Sequence, residues 1–246
     1  MELDTVLHHD SLPMLAAMPD LSVDAVITDP PYPNGSGLFS DSLIDGIAGL
    51  YLAAKKARKH IVFFWTPLAS PPLPPPGWFE VSRSVWAKPD ARSAHAYELV
   101  ICWSRDYRRR AHRVWTVPIL DYRTLKDYKQ HPTQKPVRLL RYLIEDYTQE
   151  GDTILDPFAG TGTTGVAAQQ LKRHYLLIES NKEYADFAVA RLAPKHPAEN
   201  APNDPATTEV PKEAPPELEH PSNQKPETEH PPKAIPPKQT PGKNKR

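Results

Sequence analysis

From residue 1 to residue 196, short apolar runs alternate with stretches in which apolar residues recur every three or four positions. The runs are rich in Val and Ile and predict buried strands, whereas the wider spacing predicts helices with one buried face. Because the predicted strands are almost uniformly apolar and alternate with helices, we expect an α/β fold with a parallel sheet covered on both faces. The predicted strands are 23–29, 60–65, 79–88, 98–105, 153–158 and 174–180, and the predicted helices are 40–59, 136–148, 162–172 and 181–192.

Proline and capping residues mark where several of these elements begin or end. Segment 66–78 is rich in proline and predicts a loop. Ser40 is the expected cap of the first helix and Asn181 that of the last. Pro136 suits the first turn of the helix that it opens.

The 30 prolines of the 246-residue chain are not spread evenly, and residues 197–246 differ from the rest. This segment has no aromatic side chain, and its large aliphatic residues are Val210, Leu218 and Ile235. Such a sequence buries too little apolar surface to offset the ~1–2 kcal/mol per residue lost on ordering the backbone. We therefore predict a folded domain at 1–196 and a disordered Pro-rich tail at 197–246. The tail is either a solubilising extension or a polyproline ligand for a partner.

Composition excludes several classes of protein. The single cysteine, Cys102, excludes a disulfide-stapled scaffold and a cysteine-based zinc site, and it fits a cytoplasmic location. No apolar run approaches the ~20 residues of a membrane helix, no signal peptide is visible, and no membrane partner is expected. The histidines lack metal-site spacing, so no metal is expected. The formal net charge is zero, so any affinity for nucleic acid must come from local clusters of charge.

A glycine-rich loop follows the predicted strand 153–158 and leads into a helix. Gly160 to Gly165 reads GTGTTG, and Glu179 follows 19 positions after the first glycine, as in a nucleotide-binding fingerprint. A glycine turn without a ligand is the plainer alternative. Asp156, just before the loop, would repel a pyrophosphate but suits a cationic ligand. S-adenosylmethionine (SAM) fits, since it offers a ribose to Glu179, carries two positive charges and has no phosphate.

A second motif, Asp29-Pro30-Pro31-Tyr32, follows the first predicted strand. The prolines remove two N–H donors and keep the nearby carbonyls outside a strand ladder. The Asp29 carboxylate and the Pro30 carbonyl would each accept one proton of an exocyclic amine, which frees a lone pair that is otherwise delocalised into the base. Tyr32 would stack on a base extruded from the duplex. The alternative is a rigid strand-end turn with an aspartate cap.

Together with HPTQKP at 131–136, these motifs resemble those of the amino-methylating DNA methyltransferases. Their order is similar to that of the beta group, in which the catalytic DPPY comes first and the methyl-donor loop last. The resemblance covers about 5–192 and implies a circularly permuted, Rossmann-like methyltransferase sheet. It also implies that 86–105 lies beside the target-base pocket. The implied SAM-binding residues are Asp10, Lys135, Pro136, Asp156, Phe158, Gly160, Thr161, Gly162, Thr163 and Glu179.

The resemblance implies a site-specific enzyme acting on double-stranded DNA with a flipped target base. The DPPY form is more typical of adenine-N6 than of cytosine-N4 enzymes, so adenine is preferred and cytosine is the alternative. A nicotinamide-dependent oxidoreductase would use the glycine loop but leaves DPPY and HPTQKP unexplained. A non-catalytic DNA-binding module would be expected to have a damaged motif, and both motifs are intact. The recognised sequence, a homodimer and a cognate restriction enzyme are left open.

A basic segment separates the two halves of the predicted site. It interleaves cations with aromatic residues and would track phosphates and stack on bases; a solvated charged face is the alternative. Its predicted DNA-binding residues are Arg105, Arg108, Arg109, Arg110 and Arg113. Only about 105–130 is available for target recognition, so we expect a short recognition site or relaxed specificity.

Overall fold

A computed structural model describes residues 2–31, 43–89, 91, 96–118 and 134–193. The chain separates into two units, Met1–Asn203 and Asp204–Arg246, and every described residue lies in the first. The predicted tail at 197–246, the cap Ser40 and the stacking residue Tyr32 lie outside the described residues.

Eight strands and five helices are present in the described part of the chain. The strands are β1 (Thr5–His8), β2 (Val23–Thr28), β3 (Ala57–Trp65), β4 (Phe79–Ala87), β5 (Tyr97–Ser104), β6 (Val114–Thr116), β7 (Thr153–Asp156) and β8 (His174–Glu179). The helices are α1 (Ser11–Ala17), α2 (Leu43–Lys56), α3 (Val137–Tyr147), α4 (Thr163–Gln170) and α5 (Lys182–Leu192).

Most predicted elements are present, and the differences have local causes. The helix predicted to reach residue 59 ends at Lys56, because Ala57 already pairs with Val23 of β2. The small and polar residues at the end of the predicted helix fit helical spacing, so the sequence does not show where the helix ends. β1, α1 and β6 were not predicted as elements, since they are only four, seven and three residues long. Asn181 caps α5 as expected, accepting the N–H groups of Glu183 and Tyr184.

The strands form one sheet in the order β1-β8-β7-β2-β3-β5-β4-β6. The pairs are parallel except that β5 runs antiparallel to both β3 and β4. The predicted α/β class is confirmed, but the expectation of a wholly parallel sheet is wrong at β5. Residues 88–96 between β4 and β5 are too few for a crossover helix, so the two strands pair as neighbours in opposite directions. β1, the first strand, pairs with β8, the last, as the circularly permuted order of motifs requires.

Two apolar clusters pack on opposite faces of the sheet. On one face, Leu139 and Leu143 of α3 pack with Phe64. On the other, Leu50 of α2 packs with Phe63, because neighbouring side chains of a strand point to opposite faces. No helix in the described ranges is long and apolar enough to cross a membrane.

The order of the strands reverses direction between β7 and β2. From β7 the chain continues through α4 to β8 on one side, whereas β2 is followed by α2 and then β3 on the other. Loops that leave two such strands diverge and open a crevice at their carboxyl ends, where ligands bind in open α/β sheets. The fold therefore brings Asp29 and the glycine loop to the same crevice.

Candidate active site

The turn after β2 and the loop after β7 are fastened together by the Asp156 carboxylate. Its Oδ1 accepts from Thr28 Oγ1 at 2.7 Å and from the Phe158 N–H at 3.1 Å, and its Oδ2 accepts from Thr164 Oγ1 at 2.6 Å. Asp156 is only 4% exposed. The structure thus places it beneath the glycine loop with both oxygens engaged, rather than open to a cationic ligand.

Burial raises the pKa of Asp156 to about 6 despite these hydrogen bonds. A carboxyl whose pKa is higher in the folded state stabilises the fold at low pH, and this contribution is lost as pH rises through the folded-state pKa. We expect the unfolding free energy of the wild type to fall by about 2 kcal/mol between pH 4 and 6, relative to the Asp156→Asn variant. Urea unfolding across that range measures the difference. Asp186→Asn, which removes an exposed carboxylate of α5, is the control. A wild-type-to-variant difference that stays constant with pH would contradict the assignment.

The glycine loop and Glu179 form a preorganised cradle. Glu179, at the end of β8, accepts the Gly160 N–H at 2.7 Å through Oε2 and the Asn181 N–H at 2.8 Å through Oε1. Each carboxylate oxygen keeps a further lone pair, so the side chain is held in place and can still accept from vicinal hydroxyls. Gly162 has a φ of +78°, and a Cβ there would lie 2.8 Å from the Ala188 Cβ. Only glycine fits this position.

Asp10 lies at the neighbouring strand end. It caps α1 by accepting the Leu12 N–H at 3.1 Å and is exposed. The adjacent His9 N–H donates to the Glu179 carbonyl at 3.0 Å. Ser11 Oγ donates to the Pro157 carbonyl, which ties the start of α1 to the glycine loop. Asp10 and Glu179 therefore border the same part of the crevice, as binding of one adenosine by both would require.

The two carboxylate oxygens of Asp29 have different surroundings. Oδ2 accepts from Lys135 Nζ, whereas Oδ1 is buried and has no hydrogen-bond partner among the described residues. Burial raises the pKa of Asp29; the Lys135 cation opposes this rise and the Glu98 carboxylate adds to it. An acceptor that is already desolvated and unpartnered is costly unless a donor arrives. This oxygen suits the N–H of an amine.

Lys135 was expected to line the cofactor pocket, and the structure pairs it with Asp29. Its side chain is 9% exposed, and its ammonium lies 4.9 Å from the centre of the Phe64 ring. Burial disfavours the Lys135 charge, but the Asp29 and Glu98 carboxylates outweigh burial and raise the pKa of Lys135 above its usual value. Pro136 follows as the cap residue of α3.

Gln134 is a site residue that sequence reasoning missed. Its Oε1 accepts from Thr161 Oγ1 at 2.7 Å, so it joins the HPTQKP segment to the glycine loop. The residue is 4% exposed, and its Nε2 is buried with no hydrogen-bond partner in the part of the chain that the structure describes. An unpartnered amide donor beside this loop suits a carboxylate such as that of a methionine moiety. The polar groups present thus fit SAM: hydroxyl acceptors at Glu179 and Asp10, and an open donor at Gln134.

Two glycines of α2 were also missed. At Gly49 a Cβ would lie 2.6 Å from Phe158 Cζ, and at Gly46 it would collide with the Pro31 carbonyl oxygen. One helix face therefore packs directly on both the DPPY turn and the loop after β7. The two glycines are three positions apart, but nothing in a single sequence shows what they pack against.

The segment that carries the five arginines predicted to bind DNA begins away from this crevice. They follow β5, whose last residue, Ser104, pairs with His60 near the start of β3. Thr28 pairs with Phe63 of the same strand. The basic segment therefore begins about 10 Å from the level of Thr28, measured along the strands toward the end of the sheet where the parallel strands start.

Several of these arginines have partners in the fold. Arg105 donates to the Ala54 and Ala57 carbonyls at 3.2 and 3.3 Å. Arg110 and Arg113 both bind Asp146 near the end of α3, at 2.9 and 3.1 Å. Arg108, which is 90% exposed, pairs with Asp106 at 3.3 Å, and Arg109 is exposed. The structure does not bring this segment together with Asp29, and its role in binding DNA stays a prediction.

Comparison with known proteins identifies the family of this chain. The profile of a family described as DNA methylase matches residues 50–190, which is more than half of the chain. The Type II methyltransferase M2.DpnII of Streptococcus pneumoniae is 28% identical over 249 residues, covering 80% of this chain and 91% of that protein. M2.LlaDCHI of Lactococcus lactis subsp. cremoris, also a Type II methyltransferase, is 41% identical over 109 residues, covering 44% of this chain and 40% of that protein.

Solved structures share the fold. M1.HpyAVI, in a crystal structure of its complex with SAM, has a TM-score of 0.62 and 24% identity, and the match covers 77% of this chain and 99% of that one. The cytosine-N4-specific PvuII DNA methyltransferase has a TM-score of 0.60 and 19% identity, with 78% and 86% covered. At these identities the likeness shows the fold alone. The family match settles the broader assignment: this chain belongs to the N6/N4 family of DNA methylases.

Proposed function

We propose that this protein transfers a methyl group from SAM to the exocyclic N6 amine of adenine, in double-stranded DNA from which the target base is flipped. The observation that carries the proposal is the buried, unpartnered Asp29 Oδ1 at the carboxyl end of β2, beside the glycine loop. Asp29 begins a DPPY motif, the form more typical of adenine enzymes. SAM supplies an electrophilic methyl group on its sulfonium when bound.

The chain's own residues prepare the amine for attack. Asp29 Oδ1 and the Pro30 carbonyl each accept one of its protons, which draws the nitrogen lone pair out of conjugation with the ring. Lys135 holds Oδ2, so Oδ1 is the oxygen presented to the amine. As the new N–C bond forms, the nitrogen becomes acidic. Asp29, whose pKa is raised by burial, is the group in contact with the proton that then leaves. Tyr32 stacks on the base.

The donor is held by the other loop. We assign its ribose to Glu179, its adenine to the neighbourhood of Asp10, and its amino-acid end to the glycine loop and Gln134. Phe158, Gly160, Thr161, Gly162 and Thr163 form the wall of that pocket. Asp156 acts from beneath, because its hydrogen bonds to Thr28 and Phe158 set the spacing between donor and base.

Transfer of an isotopically labelled methyl group to plasmid DNA, followed by mass analysis of the nucleosides, tests the proposal. We expect label in N6-methyladenine, with DNA incubated with Asp29→Asn protein as the control. Label in N4-methylcytosine would overturn the choice of base but keep the family chemistry. Unlabelled DNA would overturn the proposed substrate. Mapping the methylated positions tests the expected short or relaxed recognition site.

A role in restriction and modification is proposed on the relatives, which are named Type II methyltransferases. In this role the methylated site would be one that a cognate restriction enzyme cleaves. Plasmid recovered from cells that express the protein would then resist that cleavage.

A further inference from the structure

Three buried charged groups lie around Asp29 and extend well beyond the DPPY motif. Glu98 Oε1 accepts from Lys88 Nζ, and Glu98 Oε2 lies 3.2 Å from Lys135 Nζ. Lys135 in turn donates to Asp29. These four residues, Lys88, Glu98, Lys135 and Asp29, are named the charge relay set below. Their contacts run in this order from the β4–β5 hairpin to the proposed target-base pocket.

We propose that Glu98 and Lys88 are positioning residues that set the charge state and the orientation of Asp29, acting through Lys135. The inference rests on the proposed function, in which Asp29 accepts a proton of the target amine. Neither Glu98 nor Lys88 touches the amine in this arrangement. Both come from the segment that follows β4 and opens β5.

The burial of the set argues against a purely structural role. The side chains of Lys88, Glu98 and Lys135 are 9%, 12% and 9% exposed. A buried ion pair is often no more stabilising than apolar residues of the same size. The hairpin does not need it, because backbone pairing already runs from Phe79–Ser104 to Ala87–Tyr97. Buried, charge-coupled groups at a crevice mark a functional site more often than a structural one.

The balance of charge explains how the set would act. It contains two cations and two carboxylates, so Lys135 is shared between Asp29 and Glu98. If Glu98 were neutral, Lys135 would form an ion pair with Asp29 alone, and Asp29 would no longer have the negative charge of Glu98 nearby. Both changes favour ionised Asp29. If Lys88 were neutral, Glu98 would draw Lys135 away from Asp29, which favours the protonated form.

Every charged group described around Asp29 contributes to this balance. Lys135 and Lys88 lower the pKa of Asp29, and Glu98 raises it. Asp156, linked through Thr28, is a second carboxylate within electrostatic reach of Asp29. Its own hydrogen bonds involve Thr28, Phe158 and Thr164 and no member of the charge relay set. Substitution of Glu98 therefore changes Asp29 without changing the contacts of Asp156.

The test is an infrared titration of the protein without ligands. The carbonyl stretch of a protonated carboxylic acid reports Asp29, and the band absent from Asp29→Asn identifies it among the other acids. We expect Glu98→Gln to move this titration about one pH unit lower and Lys88→Met to move it higher by less. The double variant, which removes one charge of each sign, should titrate between the two single variants. Glu80→Gln, which removes a half-buried partner of Arg83 on β4, should leave the titration unchanged.

The pH profile of methyl transfer provides the second measurement. Its acid limb, where Asp29 becomes protonated and loses its acceptor role, should shift in the same directions. An unchanged titration in Glu98→Gln, or an equal shift in Glu80→Gln, would overturn the inference. If Glu98→Gln does not fold, Lys88→Met and the double variant still decide it. Wild-type protein that transfers no methyl group would overturn the proposed function, while the infrared titration would still decide whether Glu98 controls Asp29.

Discussion

The Asp29→Asn variant is expected to lose methyl transfer by roughly 10²- to 10⁴-fold, while its affinity for SAM stays close to that of the wild type. The substitution keeps the size of the side chain but replaces one acceptor oxygen with an N–H₂ group. This group is a hydrogen-bond donor, so it cannot accept a proton from the target amine. It also leaves Lys135 with Glu98 as its remaining carboxylate partner. The donor pocket is formed by other residues, so SAM binding should persist.

Two measurements separate these effects. Single-turnover transfer of labelled methyl groups reports the chemical step, and calorimetric titration with SAM reports binding. Asp186→Asn, which changes an exposed carboxylate of α5, is the matched control and should match the wild type in both. Near-normal turnover by Asp29→Asn would remove Asp29 from the mechanism. Loss of SAM binding instead would mean that Asp29 holds the donor.

The second large effect is expected at Gly162, the residue that leads into α4. Gly162→Ala should lower the unfolding free energy by about 2–4 kcal/mol, since it combines a strained left-handed residue with overpacking. The φ of +78° supplies the strain, and the 2.8 Å approach of the new Cβ to Ala188 Cβ supplies the collision. Relief of that collision must displace the donor loop or α5. We therefore also expect SAM affinity to fall by roughly tenfold or more.

Gly151 offers a control for the backbone alone. Its φ is +83°, and nothing lies within 4 Å of an added Cβ. Gly151→Ala should therefore lose only the ~1–2 kcal/mol of left-handed strain and bind SAM normally. Denaturant unfolding and calorimetry of both variants separate strain from collision. Equal losses of stability and of SAM binding in the two variants would show that the approach to Ala188 is unimportant.

The sequence predicted the features that are local in the chain. A strand that ends in DPPY, and another that ends in a glycine loop, are each read from neighbouring residues, and the rule for open α/β sheets then places both strand ends at one edge. The direction of β5 was not predicted, because an apolar run carries no information about its orientation. The shortest elements, β1 and β6, are likewise defined by their partners more than by their own composition.

The missed parts of the site depend on contacts between distant residues. Lys135 and Asp29 are 106 positions apart, and Thr161 and Gln134 are 27 apart. Glu98 opens a predicted strand, where a single acidic residue is read as a strand end that faces solvent. Its burial between Lys88 and Lys135 follows only from the pairing of β4 with β5. The basic segment was placed by its composition, and the antiparallel course of β5 carries the start of that segment away from the crevice.

The packing of α2 has a consequence for how the molecule tolerates motion. Gly46 and Gly49 let α2 pack directly on both the DPPY turn and the loop after β7. A tilt or slide of this helix would therefore move the two loops in the same direction. We expect such motion to preserve the distance between the DPPY turn and the glycine loop, and so the gap that the proposed methyl transfer must cross.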